Sequence, residues 1–302
     1  MDHLPAIREA AERIREHVVV TGCVELAEGL WFKREDLQSG GSFKTRGVAN
    51  VLLEADERSR GRGAVCVSSG NTGRALCELA GKLGIACHVF VTDQIDPRKR
   101  RLLDDAGAHV VQVGRSFSET AEAAFDFARA RNLVYCSPGQ SWPFVHGVGT
   151  IGIELAAQVD VGTVYLPIGG GGLASGVGLA LGLLPAEHRP RVVGVQPTAS
   201  PFVYEHFHFG RVLSTTSAPS VADCLTGDLE HGAKILEVAR DVLADVLLVD
   251  DQEIIEAWER LRAHGVHVEP GAAAGYAGAL KDSRSRLGDE RACVLLTGGV
   301  PS

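Results

Sequence analysis

The chain alternates short, wholly apolar runs with longer stretches whose apolar positions recur every three or four residues. Residues 63–67, 85–91, 109–113 and 133–136 are mostly apolar and rich in β-branched side chains. Between them, residues 73–83, 97–106 and 118–131 carry helical spacing. A strand that is apolar on both faces needs cover on both faces, and a parallel sheet with helical crossovers supplies it. The same rhythm returns at 163–168, 191–196, 246–249 and 292–297. The pattern predicts an α/β protein of two three-layer α/β domains with mostly parallel sheets. A cluster of turn formers at 137–143 marks a break. It places a small domain at 41–140 and a large one at 1–40 together with 141–302. Residues 197–232 are the least regular, and no element is predicted there.

A length of 302 residues, 45% hydrophobic and 23% charged, suffices for two such cores. The net charge of −8 excludes a general nucleic-acid binder, which needs a basic surface. It leaves open a small anion held locally by backbone N–H groups. Seven cysteines, at 23, 66, 77, 87, 136, 224 and 293, are odd in number and form no C-x-x-C pair. They are expected to be small buried side chains of a protein in a reducing cytoplasm. Residues 169–184 resemble a membrane span, but they are too short, too rich in glycine and stopped by Pro185. The N-terminus lacks the basic and apolar regions of a signal peptide. No membrane or nucleic-acid partner is expected, and no fused regulatory domain after 297.

Three turns between a strand and a helix carry candidate chemistry. Four successive glycines, Gly169, Gly170, Gly171 and Gly172, let N–H groups converge at the positive end of a helix starting near Leu173, which favours a phosphate. Tight strand–helix packing is the plainer alternative. A dinucleotide site would want an acidic residue ending the next strand, where Gln196 stands. Ser68, Ser69, Gly70, Asn71 and Thr72 offer hydroxyls, an amide and free N–H groups to a carboxylate or phenolate, beyond what one helix cap requires. Lys44 follows a loop of small and polar residues and opens a helix. It supplies an amine able to form an imine.

These pieces, in this order, resemble the fold type II pyridoxal phosphate enzymes, the tryptophan synthase β-like family, and within it the serine/threonine dehydratases and serine racemases. The likeness spans almost the whole chain. It rests on 33–36 with Ser42, Phe43 and Lys44, on 69–71, 147–151, the tetraglycine, Val268-Glu269-Pro270 and 296–299. It implies pyridoxal 5'-phosphate in the cleft between the domains, bound to Lys44 as an imine beside Phe43. Asn71 would meet the phenolic oxygen, Gly169 to Gly172 the phosphate, and Thr297 the pyridine nitrogen. Ser68, Ser69, Asn71 and Thr72 would bind the substrate carboxylate, and Ser69 resembles the second acid/base of racemases.

The implied activity is α,β-elimination from a β-hydroxy or other β-substituted amino acid such as serine or threonine, giving a 2-oxo acid and ammonia. Lys44 would remove the Cα proton. Asn71-Thr72-Gly73 resembles cysteine and threonine synthases, so β-replacement and racemisation stay as alternatives. Several positions depart from the branch. Gln196, with Ser200 and Phe202 near by, stands at the racemases' cation site, and Gln196 and Phe202 are poor ligands for a hard cation, so no metal is expected. Thr72 stands for the usual His or Ala. Cys224 stands for a glycine near the cofactor. Members of the family are usually dimers, and a homodimer is expected.

Overall fold

The computed structural model describes residues 3–214, 217–227, 235–283 and 291–300. Two sheets organise them. Strands β3 (Ala64–Val67), β4 (Cys87–Val91), β5 (His109–Gln112) and β6 (Val134–Cys136) form a parallel sheet in the order β5-β4-β3-β6. Strands β1 (Cys23–Ala27), β2 (Leu30–Arg34), β7 (Thr163–Pro167), β8 (Arg191–Pro197), β9 (Asp245–Val249) and β10 (Ala292–Leu296) form the other, ordered β1-β2-β10-β7-β8-β9. Only β1 runs antiparallel, as the edge of that sheet.

Helices α1 (Leu4–Ile14), α2 (Lys44–Glu54), α3 (Glu57–Arg62), α4 (Asn71–Leu83), α5 (Pro97–Asp105) and α6 (Phe117–Arg131) belong to the first half of the chain. The second half supplies α7 (Trp142–Gln158), α8 (Gly172–Leu181), α9 (Phe202–Phe209), α10 (Ile235–Val242), α11 (Asp251–Ala263) and α12 (Pro270–Ser283). Val65 and Phe90 pack with Ala124 and Ala128 of α6 on one face of the small sheet. Its other face joins a continuous core that runs through Val48 and Leu52 of α2 and Phe144 and Val148 of α7 to Val164 and Leu166 of β7. Beneath the large sheet, Val193, Val294 and Leu296 pack on Ala273 and Ala277 of α12 and Ile254 of α11. The expected three-layer α/β architecture is therefore present in both halves.

Four details differ from what the sequence pattern predicts. The hairpin β1–β2 is unexpected, because its half-exposed strands mix charged with apolar residues. Helix α4 starts at Asn71, so Asn71 and Thr72 lie in its first turn instead of before it. Strand β4 starts only at Cys87, because α4 ends in a left-handed Gly84 (φ +67°) and two residues are needed to reach the sheet. Within 197–232, residues 202–209 form α9 and Asp223–Leu225 a 3-10 turn, while 215–216 and 228–232 lie outside the described residues.

Helix α2 is tied to the large sheet by buried charge. Arg46, fully buried, donates through Nε and Nη2 to both oxygens of Glu35 at 2.8 Å, and through Nη1 and Nη2 to both oxygens of Glu154 at 2.6 and 2.9 Å. Thr150 Oγ1 and the Val19 carbonyl take further bonds at 3.1 Å. Buried Lys33 of β2 meets the same Glu154 at 2.5 Å and the Thr21 carbonyl at 2.7 Å. Two cations thus face two carboxylates. Burial alone would lower the Arg46 pKa, but the two carboxylates hold it above its usual value. The close approach of α7 to α2 at this point needs Gly147, whose Cβ would come within 2.4 Å of the Arg46 carbonyl.

Removing one partner from such a cluster strands the opposite charge in a dry interior. Arg46→Ala or Glu35→Gln is expected to lower the unfolding free energy by about 3–5 kcal/mol. The urea midpoint at constant m-value measures this.

Candidate active site

A cleft of about 760 Å³ lies between the two sheets. In parallel sheets the carboxyl ends of the strands point their loops to one side, where ligands bind. Here Ser68 follows β3, Thr92 follows β4, Gly169 follows β7, Ser200 follows β8 and Thr297 follows β10, and all five line the cleft. Phe43, Lys44, Ser69, Asn71, Thr72, Gly170, Gly171 and Gly172 line it too. Every candidate residue read from the sequence is brought to this one cavity.

The chain holds Lys44 at the first position of α2. The preceding segment is pinned from outside the helix: Ser42 bridges to Gly298, and the Phe43 N–H donates to the Thr297 carbonyl at 3.1 Å. Lys44 Nζ stands 4.5 Å from the centre of the Phe43 ring and has no ion-pair partner among the described residues. Burial lowers the pKa of the amine. Cys224, Glu269 and Cys136 pull in the other direction without cancelling that shift. A lysine so placed is poised as a nucleophile and base.

The tetraglycine loop has the geometry of an anion cradle. Gly171 caps α8 with φ +91°, a left-handed conformation that a side chain would oppose. A Cβ on Gly172 would lie 2.4 Å from the Pro138 carbonyl, so that position is closed to anything larger than glycine. Gly170 is exposed to the cleft, with open space for 4 Å around the point where a Cβ would stand. Free N–H groups and the positive end of α8 meet here. A phosphate fits this donor set, the amine of Lys44 fits an aldehyde, and the cavity has room for both together with an amino acid.

On the facing wall, the Gly70 N–H donates to Ser68 Oγ at 3.1 Å, which shapes the turn into α4. Ser69 is exposed on this turn, and Thr72 is buried. Asn71 Nδ2 donates to Glu269 Oε1 at 2.7 Å. The sequence pattern assigns Glu269 no task beyond its motif, and the fold makes it a wall of the cleft. Burial pushes its carboxyl up, against the pull of Asn71 and Lys44. A glutamate just before the proline that opens α12 is the signal available in the sequence. Cys224 also lines the cleft and is exposed there, a correction to the expectation that the cysteines are buried. Cys23 is half-buried, and the other five are buried.

The residues at the racemases' cation site have other duties here. Gln196 is buried, and its Oε1 accepts the Val203 and Tyr204 N–H groups at 3.0 Å, capping α9. Among the described residues no group of three or more His, Cys, Asp or Glu side chains is arranged around a metal.

Residues 14–298 match the family model described as pyridoxal-phosphate dependent enzyme. The chain belongs to this family. It is 30% identical over 97% of its length to an L-threonine ammonia-lyase of Geobacter sulfurreducens, of which it covers 75%. It is 27% identical to an L-threo-3-hydroxyaspartate ammonia-lyase of Saccharomyces cerevisiae, covering 97% of this chain and 91% of that one. The solved structure of maize serine racemase superposes with a TM-score of 0.90 at 28% identity, over 99% of this chain and 93% of that one. Membership in a pyridoxal-phosphate family agrees with the cradle, the amine and the cleft that joins them.

In enzyme freed of cofactor, Lys44 is expected to react with an amine reagent such as trinitrobenzenesulfonate at a pH at which the exposed lysines stay protonated. Peptide mapping across a pH series checks this. Labelling of Lys44 only alongside the surface lysines would contradict a depressed amine.

Proposed function

We propose that this pyridoxal-phosphate enzyme catalyses α,β-elimination from a β-hydroxy amino acid such as serine or threonine, releasing a 2-oxo acid and ammonia. The observation that carries the reading is the placement of Lys44, an amine of lowered pKa, between an anion cradle and a hydroxyl- and amide-lined wall. The ammonia-lyases among its relatives support the same reaction class.

Pyridoxal phosphate, when bound, supplies an aldehyde for the substrate's amino group and an electron-poor ring that accepts charge from Cα. The protein's own groups then have separate tasks. Gly169, Gly170, Gly171 and Gly172 would hold the phosphate with N–H groups, and Phe43 flanks the lysine. The Asn71 amide would serve the ring's phenolic oxygen, and the Thr297 hydroxyl the ring nitrogen. A hydroxyl there, where an acidic side chain is the common partner, would leave the bound ring's nitrogen without a charged partner. Ser68, Ser69, Asn71 and Thr72 orient the substrate carboxylate. Lys44, as a free amine, takes the Cα proton.

Racemisation is the second reading. Ser69 is exposed on the wall formed by the Ser68–Thr72 turn, where it could return a proton to Cα, and maize serine racemase shares the fold.

The working form we propose is a cytoplasmic homodimer whose small domain, 41–140, faces a large domain of 1–40 and 141–302. The four-stranded sheet lying within 64–136 supports the division, and seven free thiols fit a reducing compartment. No helix among the described residues is long and apolar enough to cross a membrane. Val19, Val20 and Leu37 are exposed apolar side chains, and Gln38 holds the Val19 backbone beside Leu37. A second copy covering them would explain their exposure. Val20→Asp should therefore shift a dimer toward monomer in sedimentation equilibrium.

Serine, threonine and 3-hydroxyaspartate, offered to the loaded enzyme, should yield a 2-oxo acid and ammonia from at least one of them. Lys44→Ala should lower that turnover by at least about 10²-fold and remove the visible absorbance of the lysine-bound cofactor. Retained turnover in the alanine variant would sink the reading.

A further inference from the structure

Six charged side chains line the cleft: Lys44, Arg74, Asp96, Lys99, Asp223 and Glu269. Five of them are accounted for. Lys44 is the amine of the proposed reaction. Glu269 takes the Asn71 amide at 2.7 Å, Lys99 and Asp223 pair at 2.6 Å, and Asp96 caps α5 by accepting the Arg98 N–H. Arg74 is left over. Its Nη1 is buried with no hydrogen-bond partner among the described residues, and no carboxylate among them forms an ion pair with it. Glu78, one turn further along α4, is taken by Lys82 at 2.6 Å.

Arg74 stands three residues after Asn71 in α4, so the two side chains leave the same face of the helix, one turn apart. Both are backed by the loops at the mouth of the large sheet. A Cβ on Gly298 would lie 3.1 Å from Asn71 Nδ2, and a Cβ on Gly41 would lie 3.6 Å from Arg74 Nη2. Gly41 is left-handed at φ +70°, and its carbonyl takes the Gly299 N–H at 2.9 Å. The guanidinium therefore lies against the loop that leads into Lys44 and borders the cleft.

A guanidinium nitrogen withdrawn from water without an acceptor is unfavourable, and a ligand that brings a carboxylate relieves it. The planar fork of N–H donors suits a carboxylate in a two-point contact. The glycine cradle is assigned to the phosphate and the Ser68–Thr72 turn to the α-carboxylate, so an acceptor for Arg74 falls to a further group of the substrate. We propose that Arg74 is a specificity-determining residue: it binds a second carboxylate, on the substrate's side chain, so that the enzyme acts best on a β-hydroxy amino acid that is also a diacid. The proposal rests on the elimination reading for the reaction and narrows its substrate class. Serine and threonine carry no second carboxylate and leave Arg74 unpaired.

Two measurements test this. Aspartate and alanine share the α-amino and α-carboxylate groups, and neither has a β-hydroxyl to lose. Calorimetric titration of the loaded wild-type enzyme should show aspartate binding at least about tenfold more tightly than alanine. Arg74→Gln should erase most of that difference. Equal affinities in the wild type, or a difference that survives in Arg74→Gln, would overturn the proposal. An equal loss for both ligands would overturn it too, by placing Arg74 on the α-carboxylate. The wild-type comparison holds even if the variant fails to fold. Turnover supplies the second measurement. The ratio of kcat/KM for 3-hydroxyaspartate to that for serine should fall about tenfold or more in Arg74→Gln, mainly through KM. An unmoved ratio counts against the assignment. If the wild-type enzyme forms no 2-oxo acid from any hydroxy amino acid, the elimination reading fails, while the aspartate–alanine comparison still decides the role of Arg74.

Discussion

A guanidinium taken out of water must be matched by opposite charge at close range, and Arg46 imposes that requirement on the whole molecule. Its partners Glu35 and Glu154 lie on the 3-10 turn after β2 and on α7, and Lys33 of β2 completes the balance. Satisfying one side chain therefore fixes a strand of the large sheet, the helix between the sheets and the helix that starts with Lys44. Arg46 lies two residues beyond Lys44, so the charge cluster sets the orientation of the α2 first turn. The cluster is best understood as a register device. Its net stabilisation is small compared with the cost of breaking it.

With α2 held, the geometry of parallel sheets does the rest. Loops after β3, β7 and β10 leave from the same side of their sheets, and the helices that follow β3 and β7 begin there with unsatisfied N–H groups. An anion cradle and a hydroxyl-rich wall arise in this way from backbone alone, at α8 and α4. The chemistry then depends on the small number of side chains in this frame that burial has altered. Lys44 has a lowered pKa and Glu269 a raised one, for the same reason: both are withdrawn from water, which disfavours the charged form.

Much of this is legible in the residues. Apolar runs at 64–67, 163–167 and 292–296 identify buried parallel strands because nothing else in a soluble chain hides both faces of a strand. Glycines 169–172 and the 68–72 turn are visible because their function requires unusual residue types. The hairpin β1–β2 escapes, since edge strands need not be apolar. Cys224 stands out as a departure from the family, but its exposure depends on where the 3-10 turn lands, and no local pattern records that.

The sequence by itself determined the alternation of strand and helix, the turns rich in glycine and hydroxyl groups, and the lysine that opens α2. These are local properties, written in side-chain periodicity and backbone freedom within a few residues. Only the tertiary structure decided that residues 44, 71, 172, 224, 269 and 297 share one cavity. It also decided that Glu269 pairs with Asn71, 198 positions away. Distances of that kind, and the desolvation that shifts a pKa, depend on how separate segments pack, and a linear pattern does not encode them.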